Sequence, residues 1–152
     1  MRVKYFAPPS AAVASPTAAL NAEAEALHAR RMDEARARVY FKQITSAAAY
    51  CHSQGVCHRD LKLENVCMRS RGSETQVKLI DLGTAAHCSA GERVLTGLCG
   101  TPTYVAPEVA AWFDWQAAGS ASPAAYGQEA DCWSLGVCLF VMLSGEAPWS
   151  QD

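Results

Sequence analysis

Eight consecutive residues, His58-Arg59-Asp60-Leu61-Lys62-Leu63-Glu64-Asn65, constrain this chain more than any other stretch. Asp81-Leu82-Gly83 follows, with Asp81 sixteen residues after Asn65, and then Gly100-Thr101-Pro102, Tyr104 and Ala106-Pro107-Glu108. Each member has a bland reading when taken alone. A single Asp or Lys is ordinarily surface charge, Asn65 and Asp81 suit turns, and a lone His58 is more often packed than reactive. The joint spacing is hard to obtain by chance. Such a set acts together only if the fold brings Asp60, Lys62, Asn65 and Asp81 to one position.

The flanking segments say how that could happen. Tyr40, Ile44, Ala47 and Cys51 recur at steps of four, three and four, which predicts a helix over about 33–52 with one apolar face. Asp33 and Glu34 favour its positive end, and Gly55 stops it. Short strand signals follow at Val56-Cys57, Val66-Cys67-Met68 and Val77-Lys78-Leu79-Ile80. The last two are separated by the polar run 69–76 and read as a hairpin, with Asp81 just beyond its second strand, where a loop residue can face a ligand. Residues 84–103 read as an exposed loop. Val109 to Ala118 suits a helix, Gly119 to Pro123 a break, and a second strong helix is expected from Gln128 to Ser144, ended by Gly145 and Pro148. Towards the start, Pro8, Pro9 and Pro16 mark residues 1 to about 20 as irregular, and Asn21 could cap a short helix.

Composition excludes several classes. Half of the 152 residues are hydrophobic, enough for one domain with a core. A formal charge of −2 gives no reason to expect nucleic acid or an anionic membrane as partner. No apolar run reaches the ~18 residues that span a bilayer, the longest being Val137 to Leu143. Seven scattered cysteines form no C-x-x-C pair, so they read as reduced thiols and small apolar fillers rather than zinc ligands. Location reads as cytoplasmic or nuclear. Residues 1–21 also share the Ala- and Ser-rich, acid-free composition of an organelle transit peptide, and that alternative stays open.

The motif set resembles that of eukaryotic protein kinases: His58 to Asn65 the catalytic loop, Asp81-Leu82-Gly83 the metal-binding triplet, and Ala106-Pro107-Glu108 the end of the activation segment. Tyr50-Cys51-His52-Ser53 resembles the helix leading into that loop, and Asp131 with Trp133-Ser134-Leu135-Gly136-Val137 the central helix of the large lobe. Lys62 and Thr101 are similar to the serine/threonine type, and Cys99 to Val109 resembles the calcium/calmodulin-dependent group. The resemblance implies ATP and Mg²⁺ as cofactors, a protein substrate, and an activating kinase or scaffold as further partner. Phosphoryl transfer needs an aligned hydroxyl, a positioned triphosphate and positive charge over the phosphates. The implied catalytic residues are Asp60, which accepts the substrate hydroxyl's hydrogen bond, Lys62 near the moving phosphate, and Asn65. Lys62, Glu64, Asn65 and Asp81 would face the nucleotide, Asn65 and Asp81 being the oxygen ligands for Mg²⁺. Thr96 and Thr101 belong to the implied activation segment, Thr96 as phosphoacceptor and Thr101 in contact with Asp60 and Lys62. His58, Arg59, Glu108 and Asp131 would be structural. Arg59 in such kinases commonly receives an activation-segment phosphate, and Asp131 accepts from the catalytic-loop backbone.

The sequence departs from the pattern as well. It holds no G-x-G-x-x-G segment and no Val-Ala-x-Lys strand, and Leu82 stands where the metal triplet usually has phenylalanine. The expected fold is therefore α+β, mainly α: a partial kinase-like large lobe with a small β-hairpin and no small lobe. It would occupy residues 33–152, truncated at its C-terminal end, behind an irregular segment 1–32. The expected function is that of a protein serine/threonine kinase, as a fragment with little activity alone. The alternative is a non-catalytic kinase-like interaction module.

Overall fold

A computed structural model describes residues 31–69, 76–118 and 122–149. The expected helix at Asn21, the transit-like start, most of the hairpin loop and the glycine of the Gly119–Pro123 break lie outside the described residues. Helix α1 spans Glu34–Ser53. Asp33 caps it, its carboxylate accepting from Arg36 N at 2.9 Å. The buried stripe is Ala37, Tyr40, Ile44 and Ala48, with Ala47 and Cys51 only half-buried at its margin. Steps of three, four and four turn the stripe slightly from the face that the sequence suggested. At the far end Gly55 adopts φ 70°, and a Cβ there would lie 2.8 Å from the His87 ring.

Strand β1 (Val56–Cys57) pairs antiparallel with β4 (Ala86–His87), while β2 (Val66–Met68) and β3 (Val77–Leu79) form the hairpin in the register Val66↔Leu79, Cys67↔Lys78, Met68↔Val77. Helix α2 is Pro107–Ala118 and α3 is Glu129–Ser144, the latter closed by Gly145 in the left-handed conformation. The described residues are mainly helical with two small antiparallel sheets, the architecture that the resemblance to a kinase large lobe implies.

Two apolar clusters hold these elements. One joins Tyr40 and Ile44 of α1 to Leu61 and Leu63 and to Leu135, Cys138 and Met142 of α3. The other gathers Cys57, Cys88, Leu95, Trp112, Tyr126 and Ala130. The second cluster corrects the reading of residues 84–103 as an exposed loop. Ala86–His87 is a strand, Cys88 and Leu95 are buried, and Pro102–Tyr104 forms a 3₁₀ turn. A two-residue strand is too short to show periodicity, and the partners that bury Cys88 and Leu95 are distant in sequence.

Burial, with a smaller contribution from the Glu64 charge, pushes the Cys138 thiol up to about 12, so it packs as an inert apolar group. All the described cysteines are free. No helix among the described residues is long and apolar enough to cross a membrane. Trp133, Phe140 and Leu143 of α3 remain exposed, Trp133 stacked on Trp149 with centroids 6.0 Å apart.

Candidate active site

The octet lies between β1 and β2, pinned from below by α3. Asp131, in the first turn of α3 and 1% exposed, accepts from His58 N (Oδ2, 2.8 Å) and Arg59 N (Oδ1, 2.9 Å). Its Oδ2 also lies 2.8 Å from His52 Nε2 at the end of α1. Burial tends to raise the Asp131 pKa, but the His52 side chain and the two backbone N–H groups outweigh it and hold the carboxyl below its ordinary value. His58 is fully buried. Its Nδ1 accepts from Asp60 N at 3.3 Å and its Nε2 lies 3.3 Å from Ile80 O, which fits the Nε2–H tautomer. Thr84 Oγ1 donates to His58 O at 3.1 Å. One histidine thus spans the catalytic-type loop and the end of β3.

Above this base Asp60, Lys62 and Thr101 close a triangle. Lys62 Nζ donates to Asp60 Oδ2 at 2.8 Å and to Thr101 Oγ1 at 2.7 Å, and Thr101 Oγ1 donates to Asp60 Oδ1 at 2.7 Å. Asn65 Nδ2 donates to Asp60 O at 2.9 Å and reaches Asp60 Oδ2 at 3.4 Å. Burial acts to raise the Asp60 pKa. The bonds from Lys62 and Thr101, the Lys62 charge and Asn65 together more than offset it, so the carboxyl sits below its ordinary value.

Asp81 follows from the hairpin register. With Val66 opposite Leu79, Ile80 N donates to Asn65 O at 2.9 Å, and Asp81 is the next residue. It is exposed, and its Oδ1 accepts from Gly83 N at 3.2 Å. Asp81 and Arg59 are the only non-glycine residues with positive φ among those described, at 68° and 69°. Asp60, Lys62, Asn65 and Thr101 are therefore joined directly, and Asp81 is set beside Asn65 through the backbone. Glu64 is exposed in the 3₁₀ turn Leu63–Asn65 and makes no hydrogen bond to this group. Thr96 is exposed. Glu108 is half-buried in the first turn of α2 and forms no ion pair with another described residue.

Two glycines seat the segment that carries Thr101. A Cβ on Gly100, whose φ is 104°, would lie 2.7 Å from Arg59 O, and one on Gly127 would collide with Glu92 O. Gly100→Ala is expected to lower stability by about 2 kcal/mol, since the left-handed backbone alone costs a side chain about 1–2 kcal/mol and the carbonyl leaves no room. Urea unfolding of the variant measures this, and a midpoint equal to that of the unaltered chain would contradict it.

Some contributors carry no local signal. His52, Thr84 and Tyr126 reach the site only through tertiary contacts, His52 across 79 residues to Asp131. The apolar spacing in α1 shows which face is buried, but not that a histidine at its end meets α3.

The protein kinase domain family model matches residues 16–152, and the chain belongs to that family. It is 41% identical over 125 residues to the CBL-interacting serine/threonine-protein kinase 24 of Arabidopsis thaliana, covering 82% of this chain and 25% of that protein. It is 41% identical over 123 residues to the maternal embryonic leucine zipper kinase of Xenopus laevis, covering 80% of this chain and 17% of that protein. A probable serine/threonine-protein kinase of Dictyostelium discoideum, fhkA, is 38% identical over 135 residues, covering 80% and 23%. The chain spans about a quarter of the length of the plant relative and others like it. The serine/threonine type that Lys62 and Thr101 implied agrees with the relatives' names.

Proposed function

We propose that this chain carries the phosphotransfer residues of a protein serine/threonine kinase, which moves the terminal phosphoryl group of ATP to a protein hydroxyl. The observation that carries the reading is the Asp60–Lys62–Thr101 triangle with Asn65 closing its side. Asp60 is ionised and holds acceptor capacity towards a substrate hydroxyl. Its depressed pKa makes it a weak proton acceptor in the ground state. It therefore orients the hydroxyl first and takes the proton late, as a loose transition state allows. Lys62 bridges Asp60 and Thr101, so its ammonium is already fixed beside the path of the phosphoryl group and needs little reordering when charge develops there. Thr101 ties the substrate-facing segment to both.

Protein kinases generally use ATP with Mg²⁺, and the donor set here suits a hard cation. Asn65 spends its amide nitrogen on Asp60 and keeps its oxygen, and Asp81 has a carboxylate oxygen free of the Gly83 contact. No group of three or more His, Cys, Asp or Glu side chains among the described residues could hold a metal by itself, so these two would share the ion with the triphosphate and water. Mg²⁺ bound there would offset the triphosphate's charge. Glu64, exposed in the same 3₁₀ turn, is the remaining residue on the nucleotide side.

The test is thermal unfolding of this chain with millimolar ATP, with and without Mg²⁺. A rise in midpoint that needs Mg²⁺ and disappears in Asp81→Ala is expected. No shift at any nucleotide concentration would remove independent nucleotide binding and favour the second reading, a non-catalytic module whose exposed Trp133–Trp149 stack meets a protein partner.

A further inference from the structure

Tyr126 lies between α2 and α3, outside every motif of the site, yet it touches both halves of it. It is the largest of the fully buried side chains, 1% exposed. Its backbone exchanges two hydrogen bonds with Leu95, N to Leu95 O at 2.9 Å and Leu95 N to its own O at 3.0 Å. Its hydroxyl donates to Gly97 O at 3.1 Å. The face of its ring lies under the Arg59 guanidinium, 5.8 Å from centroid to Cζ, while Arg59 Nε is buried with no hydrogen-bond partner among the described residues. Next to it, Gly127 lets the Glu92 carbonyl lie flush against the chain.

We propose that Tyr126 is a positioning residue that locks the segment from Leu95 to Thr101 against the catalytic-type loop, so that the Thr101 bonds to Asp60 and Lys62 form on a segment bearing no added charge. The logic is geometric. Three hydrogen bonds fix residues 95–97 onto Tyr126, and the ring fixes Arg59, whose neighbour is Asp60. Segment and loop are then registered through one side chain. Arg59 is half-buried and its Nε has no hydrogen-bond partner among the described residues, so the guanidinium gains from the ring's negative quadrupole on the side turned away from water. The hydroxyl bonds the Gly97 carbonyl and also lies close to the Arg59 guanidinium, while the ring face meets Arg59 alone, so substitution removes the two contributions in turn.

The inference rests on the kinase reading for its kinetic consequence but not for its structural one, and the experiment uses both. Trypsin cleavage after the exposed Arg93, just before the clamped residues, reports opening of the segment. Tyr126→Phe removes the hydroxyl and keeps the ring, and about fivefold faster nicking is expected, the value of one ordinary hydrogen bond, with the thermal midpoint lowered by no more than about 4 °C. Tyr126→Leu also removes the ring face, and nicking at least about tenfold faster is expected. If the chain transfers phosphate to a peptide, Tyr126→Phe raises the peptide KM by a similar factor and leaves kcat within about twofold, whereas Tyr126→Leu lowers kcat as well. Equal nicking in all three proteins overturns the proposal. Nicking that rises only in step with a falling thermal midpoint also overturns it, because Tyr126 would then be a core residue and nothing more. Altered nicking in a chain with no transferase activity keeps the clamp and removes independent catalysis by this chain.

Discussion

Asp60→Asn is expected to lower phosphotransfer by about 10²–10³-fold while the chain stays folded, within the usual range for losing a positioned proton acceptor. The amide is nearly isosteric, but it has one oxygen where the carboxylate has two. It can accept from Thr101 at Oδ1 or from Lys62 at Oδ2, not from both. The triangle opens on one side, and the substrate hydroxyl loses its acceptor. Stability should fall by about 1–2 kcal/mol, because the neutral amide weakens a mostly buried pair with Lys62 but keeps one acceptor. The measurement is the single-turnover rate of both proteins, with unfolding curves alongside. A variant retaining more than about a tenth of the parent rate would remove Asp60 from the reaction. The direction of its pKa adds a constraint. A carboxyl held below its ordinary value stays ionised as pH falls through the neutral and mildly acidic range, so Asp60 contributes no loss of rate there.

Asp131 should matter most for stability. Asp131→Ala leaves the N–H groups of His58 and Arg59 in the core without their acceptor, and His52 loses its partner. Each abandoned buried donor costs about 1–3 kcal/mol, so a total of about 3–5 kcal/mol is expected, a large fraction of the stability of a domain of this size. Denaturant unfolding gives the value, and a loss under about 1 kcal/mol would show that the loop does not depend on this carboxylate. The sign of the pH effect follows from linkage. Because the folded pKa lies below the unfolded one, the unfolded chain takes the proton first as pH falls. The contribution is complete above the ordinary carboxylate value of about 3.9 and fades as pH drops from there through the folded pKa. In Asp131→Ala that part of the acid dependence should vanish.

The adjacency of Asp60, Lys62 and Asn65 was legible because it is local: five residues separate the first from the last, and a turn brings them together whatever the surroundings. The place of Asp81 was legible at one remove, through the hairpin that sets Ile80 opposite Asn65. Helices α1 and α3 showed themselves by apolar spacing, caps and stop residues, although the stripe on α1 runs through Ala48 rather than Ala47. Strand β4 and the buried half of residues 84–103 were not legible. Two residues carry no period, and Leu95 is buried by Tyr126 and Trp112, which no local pattern connects to it. The same holds for His52 and Tyr126, whose significance depends wholly on where α3 lies. Exposure was equally unreadable at Glu64, an exposed member of the densest motif.

The two left-handed backbone positions, Arg59 and Asp81, bracket the octet's carboxylate and the hairpin's outer end. A side chain held at such angles costs about 1–3 kcal/mol, and glycine would relieve it. At either place, though, glycine would also take away a contact: the Arg59 guanidinium from the Tyr126 ring, or the Asp81 carboxylate from Gly83 N. Backbone ease and side-chain contacts are thus opposed at these two positions, and the chain keeps the contacts at a local cost in stability.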